Sequence, residues 1–208
     1  SMKVTNTATR TDYTFEEYLS FEEQADQRHE YHNGKILVMA GGTGDHSLIA
    51  GSLNTALDNA IDKEGRNCFV FNSDMNVRIE KYNKGIYPDL SAVYGEIEYY
   101  NEKQTVLNNA ILFIEVLSES TKEYDKSEKF EMYRSIPSFR EYMVVYQTIP
   151  RVQTWYREVN GLWRISSAQG LDQSIQLYSI ACNIALADIY KRVLKNLKEI
   201  PQDLSLAY

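Results

Sequence analysis

Two carboxylates and one amine stand where their neighbours are apolar. Glu115 interrupts the run Ile111-Leu-Phe-Ile-Glu-Val-Leu117, which is otherwise apolar on both faces of a strand. A carboxylate buried there costs several kcal/mol unless it is paired or metal-bound, so something must compensate it. Asp89 lies in Tyr87-Pro88-Asp89-Leu90, where Pro88 lacks an N–H and marks the first residue of a strand or an edge. Lys129 shares a stripe with Asp125, Met132, Tyr133 and Ile136 when residues advance by about 100° along a helix. Two acids on neighbouring strands and an amine on the following helix form the minimum set for metal-assisted phosphodiester hydrolysis. Carboxylate oxygens suit Mg²⁺ or Mn²⁺, which hold an attacking water and neutralise charge growing on the phosphate. A lysine ammonium lowers the pKa of that water or stabilises the pentavalent transition state.

Each residue also has a plainer reading. Glu115 could pair with a buried arginine or sit at a strand end, and Asp89 could make an Asx turn. Lys129 could serve only an i,i+4 pair with Asp125, worth a few tenths of a kcal/mol. That pair leaves unexplained why both residues fall on the apolar side. Lys126, Glu128, Glu131 and Arg134 diverge from the stripe and read as solvated charges.

The elements that must position these groups follow from local rules. Thr14-Phe-Glu-Glu17 is a capping box that opens a helix to about Ala25. Asn33-Gly34 is a two-residue hairpin turn, with Lys35 to Ala40 as the return strand. Gly41, Gly42 and Gly44 break the pattern. From Asp45 to Glu64 apolar residues recur at helical spacing, and Gly65 ends the helix. Strands are expected at Cys68 to Phe71, Met75 to Ile79, Leu90 to Tyr94 and Ile111 to Leu117, the last central and buried on both faces. Ser120-Thr-Lys-Glu123 reads as a second capping box, starting a helix to about Ile136 before Pro137. Glu141 to Tyr146, Arg151 to Glu158 and Leu162 to Ser167 are further strands, with Asn160-Gly161 as a tight turn. Ile184 to Leu197 reads as a last amphipathic helix.

Composition bounds the function classes. The 208 residues are 43% hydrophobic and 25% charged with four prolines and ten glycines, so a folded core is expected rather than disorder. Ser1 ahead of Met2 reads as an addition, residues 1–13 as a tail, and 14–208 as a single domain. Cys68 and Cys182 have neither CxxC nor CxxH spacing, which argues against a zinc site or a disulfide framework. With no leader pattern and no apolar window near 18 residues, a cytoplasmic protein without membrane attachment is expected. The formal charge of −7 argues against a broad phosphate-neutralising surface, although a metal site itself gathers carboxylates and basic residues can still cluster. The sixteen tyrosines can fill a core edge, line a cleft or cover a dimer interface, and their number favours none of these.

Pro88-Asp89 followed by Glu115-Val116-Leu117, within this order of elements, resembles the PD-(D/E)XK nuclease superfamily. More closely, the chain resembles the Uma family, bacterial proteins assigned as endonucleases and long known only as a domain of unknown function. The matching segments are Glu30-Tyr-His-Asn-Gly34, the helix start at His46, Pro88-Asp-Leu-Ser91, Ile114 to Thr121, Asp125-Lys-Ser-Glu-Lys-Phe130 and Glu141-Tyr142. Each motif is short; their order and spacing carry the resemblance. It implies an α/β, restriction-endonuclease-like fold with a mixed central sheet flanked by helices and additional β-hairpins. The superfamily's ExK lysine is replaced by Leu117, and the resemblance implies that Lys129 takes over its position in space. It also implies Glu30 and His46 as polar residues near the same cleft, and the Val116 carbonyl as an added metal ligand. Glu119 stands where the family usually has proline, a change expected in loop stiffness rather than chemistry. For His46 a cap or a core hydrogen bond is the alternative.

Three functional readings follow. The first is a Mg²⁺- or Mn²⁺-dependent DNA endonuclease using Asp89, Glu115 and Lys129, expected as a homodimer that addresses two strands. The second is a non-catalytic homodimeric interaction or ligand-binding module that retains a degenerate site. The third is a metal-dependent hydrolase of smaller phosphoesters. Saturable Mn²⁺ binding separates the first from the second, and comparing nucleotides with polynucleotides separates the third.

Overall fold

In the computed structural model, residues 4–6, 10–118 and 121–202 are described. Strand β1 (Val4–Asn6) precedes α1 (Phe15–Gln24), which Thr14 and Glu17 cap reciprocally as the sequence predicts. A hairpin follows, β2 (His29–His32) and β3 (Lys35–Met39), turned by Asn33 and Gly34, both at positive φ. Helix α2 (Gly44–Glu64) begins at the N-cap Thr43 and stops at Gly65, whose φ of 64° suits a residue without a Cβ. Then come β4 (Cys68–Phe71), β5 (Asn76–Ile79), β6 (Lys84–Ile86), β7 (Leu90–Tyr94), β8 (Val106–Leu107) and β9 (Leu112–Val116). Helices α3 (Lys122–Lys126) and α4 (Glu128–Arg134) lead to β10 (Glu141–Val145), β11 (Arg151–Arg157) and β12 (Trp163–Gln169). A hairpin of β13 (Ser174–Leu177) and β14 (Cys182–Ala185) and the short α5 (Leu186–Tyr190) close the fold.

The strands form two six-stranded mixed sheets and that hairpin. The site-bearing sheet runs β12-β11-β10-β9-β7-β4, with β9 and β10 parallel and its other pairs antiparallel. The other runs β1-β3-β2-β6-β5-β8. Every residue of β9 is buried, and its side chains alternate between two cores. Leu112, Ile114 and Val116 join Ile49, Leu53, Leu57 and Ile61 of α2. Phe113 and Leu117 join Met132, Tyr133 and Ile136 on the opposite side. Helices thus cover both faces of the sheet, the arrangement expected of a central strand apolar on both sides.

Three readings change. The helix predicted from Ser120 to Ile136 is interrupted at Ser127, where φ is −119° and ψ is −78°. The Ser127 hydroxyl donates to the Glu123 carbonyl at 2.6 Å, a back-bond of the kind that bends helices. Ser120 and Glu119 lie outside the described residues. Ile184 to Leu197 is not one helix: Cys182–Ala185 pairs with Ser174–Leu177, and the helix that follows has five residues. Within the expected tail, Val4–Asn6 pairs with Leu37–Met39 and extends the first hairpin. Among the described residues no helix is long and apolar enough to cross a membrane.

Candidate active site

Strand register brings the backbones of the two acids close together. Strands β7 and β9 are antiparallel with Leu90 opposite Ile114, and Asp89, in the bend just before β7, and Glu115 are the residues next to that pair. The Val116 N–H donates to Asp89 Oδ2 at 2.8 Å, which ties the carboxylate to the neighbouring strand. Asp89 is also held from α2, where His46 Nε2 stands 3.1 Å from the same oxygen. The first turn of α2 fixes His46: its N–H donates to the capping hydroxyl of Thr43 at 3.2 Å. A Cβ at Gly42 would come within 3.1 Å of His46 Nδ1, so a glycine there lets the loop lie over the ring. The cap of this helix is Thr43 rather than His46, and the His46 ring makes a buried hydrogen bond to Asp89.

Lys129 reaches under the sheet to Glu115, its Nζ 2.8 Å from Oε1. The break at Ser127 leaves the stripe intact, since Asp125, Lys129, Met132, Tyr133 and Ile136 are all buried. Asp125 lies 3.8 Å from the same ammonium and accepts from the Thr121 hydroxyl at 2.9 Å. The Tyr133 hydroxyl donates to Glu115 Oε1 at 2.6 Å, a contact the sequence reading misses. Its origin is geometric: Tyr133 stacks on Phe113, with ring centroids 4.4 Å apart, and Phe113 shares a strand face with Glu115. The available signal was a hydroxyl-bearing side chain on an otherwise apolar helical stripe.

Four carboxyls act on one ammonium. Burial opposes the Lys129 charge, but Glu115, Asp125, Glu30 and Asp89 together hold it protonated well above the ordinary lysine value. The Glu115 carboxyl also lies above its ordinary value. Burial pushes it up to about 8, Lys129 opposes the rise, and Asp89 and Asp125 reinforce it. Glu30, buried on β2, faces His32 at 2.9 Å between Oε1 and Nε2. It acts on Lys129 through space.

Exposure separates these residues. Asp89 and His46 line a cleft of about 460 Å³, together with Arg28, Ser47, Gly51 and Asn54 among others. Glu115 and Lys129, 0% and 3% exposed, are not part of its lining, and neither is Glu30. The Val116 backbone is reached through its N–H by Asp89.

The donor chemistry fits a hard divalent cation, since Asp89 and Glu115 offer carboxylate oxygens from residues next to the Leu90–Ile114 pair. Among the described residues, no group of three or more His, Cys, Asp and Glu could hold a metal ion by itself. A cation here would complete its coordination with backbone oxygen or water.

Two proteins of Synechocystis sp. strain PCC 6803 are similar in sequence. "Uncharacterized protein slr1290" is 33% identical over 177 residues, covering 85% of this chain and 90% of its own length. "Uncharacterized protein sll1609" is 31% identical over 169 residues, covering 81% and 94%. In fold, the chain matches a structure described as a "putative nuclease belonging to DUF820" from Anabaena variabilis ATCC 29413. The TM-score is 0.66 at 16% identity, over 86% of this chain and 98% of that one. The fold is therefore restriction-endonuclease-like, of a class that generally uses divalent cations, and fold and family together support a nuclease. Residues 15–187 match the Uma2 family, described as "Putative restriction endonuclease", and the chain belongs to that family.

Proposed function

We propose that the chain is a divalent-metal-dependent endonuclease that hydrolyses DNA phosphodiester bonds at Asp89, Glu115 and Lys129. The observation that carries this reading is two acids beside the Leu90–Ile114 pair of β7 and β9, both acting on one ammonium that lies 2.8 Å from Glu115. When bound, Mg²⁺ or Mn²⁺ would polarise the attacking water and neutralise phosphate charge, with Asp89, Glu115 and the Val116 carbonyl as its protein ligands.

The remaining work falls to side chains. An amine held protonated cannot accept a proton, so Lys129 acts as a fixed cation. It stabilises charge that develops on the phosphate or favours ionisation of the attacking water. His46 and the Val116 N–H orient Asp89, while Tyr133 orients Glu115. Glu30 helps keep Lys129 charged.

The test is cleavage of plasmid and linear DNA by the purified chain with Mg²⁺ or Mn²⁺. Glu115→Gln is expected to lower the rate by about 10²-fold or more, the usual loss for one such electrostatic group. Calorimetric titration with Mn²⁺ should show saturable binding that Asp89→Asn abolishes while its circular dichroism stays unchanged. Undiminished cleavage by Glu115→Gln would overturn its role. Folded protein that neither binds Mn²⁺ nor cuts DNA would favour the non-catalytic module instead.

A further inference from the structure

A second concavity lies across α2 from the candidate cleft. It measures about 390 Å³ and is lined by Ser47, Leu48, Gly51, Thr55, Lys191 and Arg192, with Ser52 beneath. Ser47 and Gly51 belong to both hollows, so the two form one trough that crosses the exposed side of the helix. Its floor is uncharged, with Ser47, Asn54 and Thr55 beside the exposed Leu48. From His46 to Leu57 the helix has no acid, and acids resume only at Asp58. Gly51 adds no bulk, and a Cβ built there would meet nothing within 4 Å.

The far wall is basic in a chain that is acidic overall. The segment from Lys191 to Lys198 carries Lys191, Arg192, Lys195 and Lys198 and no acid, whereas the whole chain has a formal charge of −7. That segment is pinned to the fold. Asn196 Nδ2 donates to Asp45 Oδ1 in the first turn of α2 at 3.1 Å, and the Lys198 N–H donates to the Thr148 carbonyl at 2.7 Å. The pinning holds exposed cations beside the helix whose N-terminal turn carries His46.

We infer that this trough binds the phosphodiester backbone of DNA, with Lys191 and Arg192 contacting phosphates beyond the scissile bond and Ser47, Asn54 and Thr55 donating to phosphate oxygens. The inference rests on the nuclease reading for the nature of the ligand. Hydroxyls, amides and cations around a small-residue floor provide contacts that position a strand without reading its sequence. Local clustering also answers the objection raised by the acidic total, because counterion release depends on the cations at the contact.

The experiment measures fluorescence anisotropy of a labelled 20-base-pair duplex with the full chain in EDTA, across a series of salt concentrations. Lys191→Ala/Arg192→Ala should weaken binding about 10-fold at low salt and reduce the slope of log K against log salt by about 2, near one unit per lost phosphate contact. Gly51→Glu, which places a carboxylate in open space on the floor, should weaken binding without removing any cation. Hydrolysis of bis(p-nitrophenyl) phosphate, too small to span the trough, should be unchanged in Lys191→Ala/Arg192→Ala. Equal affinity and slope in both variants, no measurable duplex binding by the wild-type chain, or a preference for RNA of the same sequence would overturn the inference. If binding depends on the trough but neither substrate is hydrolysed, the hydrolytic reading falls and the trough stands.

Discussion

Glu115 and Glu141 are both fully buried carboxyls on the adjacent parallel strands β9 and β10, and burial raises both, to about 8 and about 7. Their partners differ. Glu141 accepts from the Ser179 N–H at 3.0 Å, the Ser179 hydroxyl at 2.6 Å and the Tyr178 N–H at 3.3 Å. All three belong to the turn between β13 and β14, so this acid pins a hairpin to the sheet. Glu115 instead shares an ammonium with Asp125 and is crowded by Asp89 across the register. Burial alone therefore does not mark a functional acid. Neutral donors from one turn complete a structural role, whereas among the described residues Glu115, Asp125 and Asp89 crowd around Lys129.

The largest expected break in this contrast comes from the cation. Lys129→Met should cost about 3–5 kcal/mol of unfolding free energy in urea titrations, because it leaves buried acids without their ammonium. Adding Glu115→Gln should recover part of the loss, since the pair is then neutral on both sides. If Lys129→Met is as stable as the parent chain, the cluster is not balanced by Lys129 and the contrast with Glu141 fails.

The next effect is a pH dependence that belongs to Glu141. Its proton is held more tightly in the folded chain than at the ordinary value of 4.5. The contribution to stability is therefore fully present below 4.5 and is lost as pH rises through about 7. The stability difference between the wild type and Glu141→Gln should decline across that window by on the order of 1 kcal/mol per pH unit and then level off. Chemical denaturation at several pH values reads this directly. A difference that stays flat from pH 5 to 7, or grows, contradicts the tighter proton.

Much of the contrast was legible in the sequence, for identifiable reasons. Glu115, Asp89 and Lys129 stood out because their polarity opposed a strong apolar pattern, and register then brought them together. Local chemistry also revealed the caps at Thr14 and Gly65 and the Asn33-Gly34 turn. Glu141 entered only through the Glu141-Tyr142 segment of the resemblance and not as a buried acid, since an acid at a strand start is ordinary and its partners lie nearly 40 positions away. The same limit misled the reading of Ile184 to Leu197. Ile184, Leu186, Ile189, Tyr190 and Val193 are all buried and fit a helical stripe, yet pairing of Cys182–Ala185 with Ser174–Leu177 decides the first part. Tyr133 escaped because a buried tyrosine needs only one acceptor, and nothing local names it.

The smallest effect tests whether Glu141 is held by its turn. Ser179→Ala removes the 2.6 Å hydroxyl bond and keeps the two backbone donors, so it should cost about 1 kcal/mol. That bond also favours the ionised carboxyl and restrains the rise caused by burial. Without it the carboxyl should retain its proton to higher pH, moving the end of the stability decline upward, while DNA cleavage stays at the parent rate. An unshifted decline would mean that the backbone amides alone set the proton affinity. A fall in cleavage would mean that the turn and the cluster around Glu115 are coupled through β10, and the two acids would no longer represent separate roles.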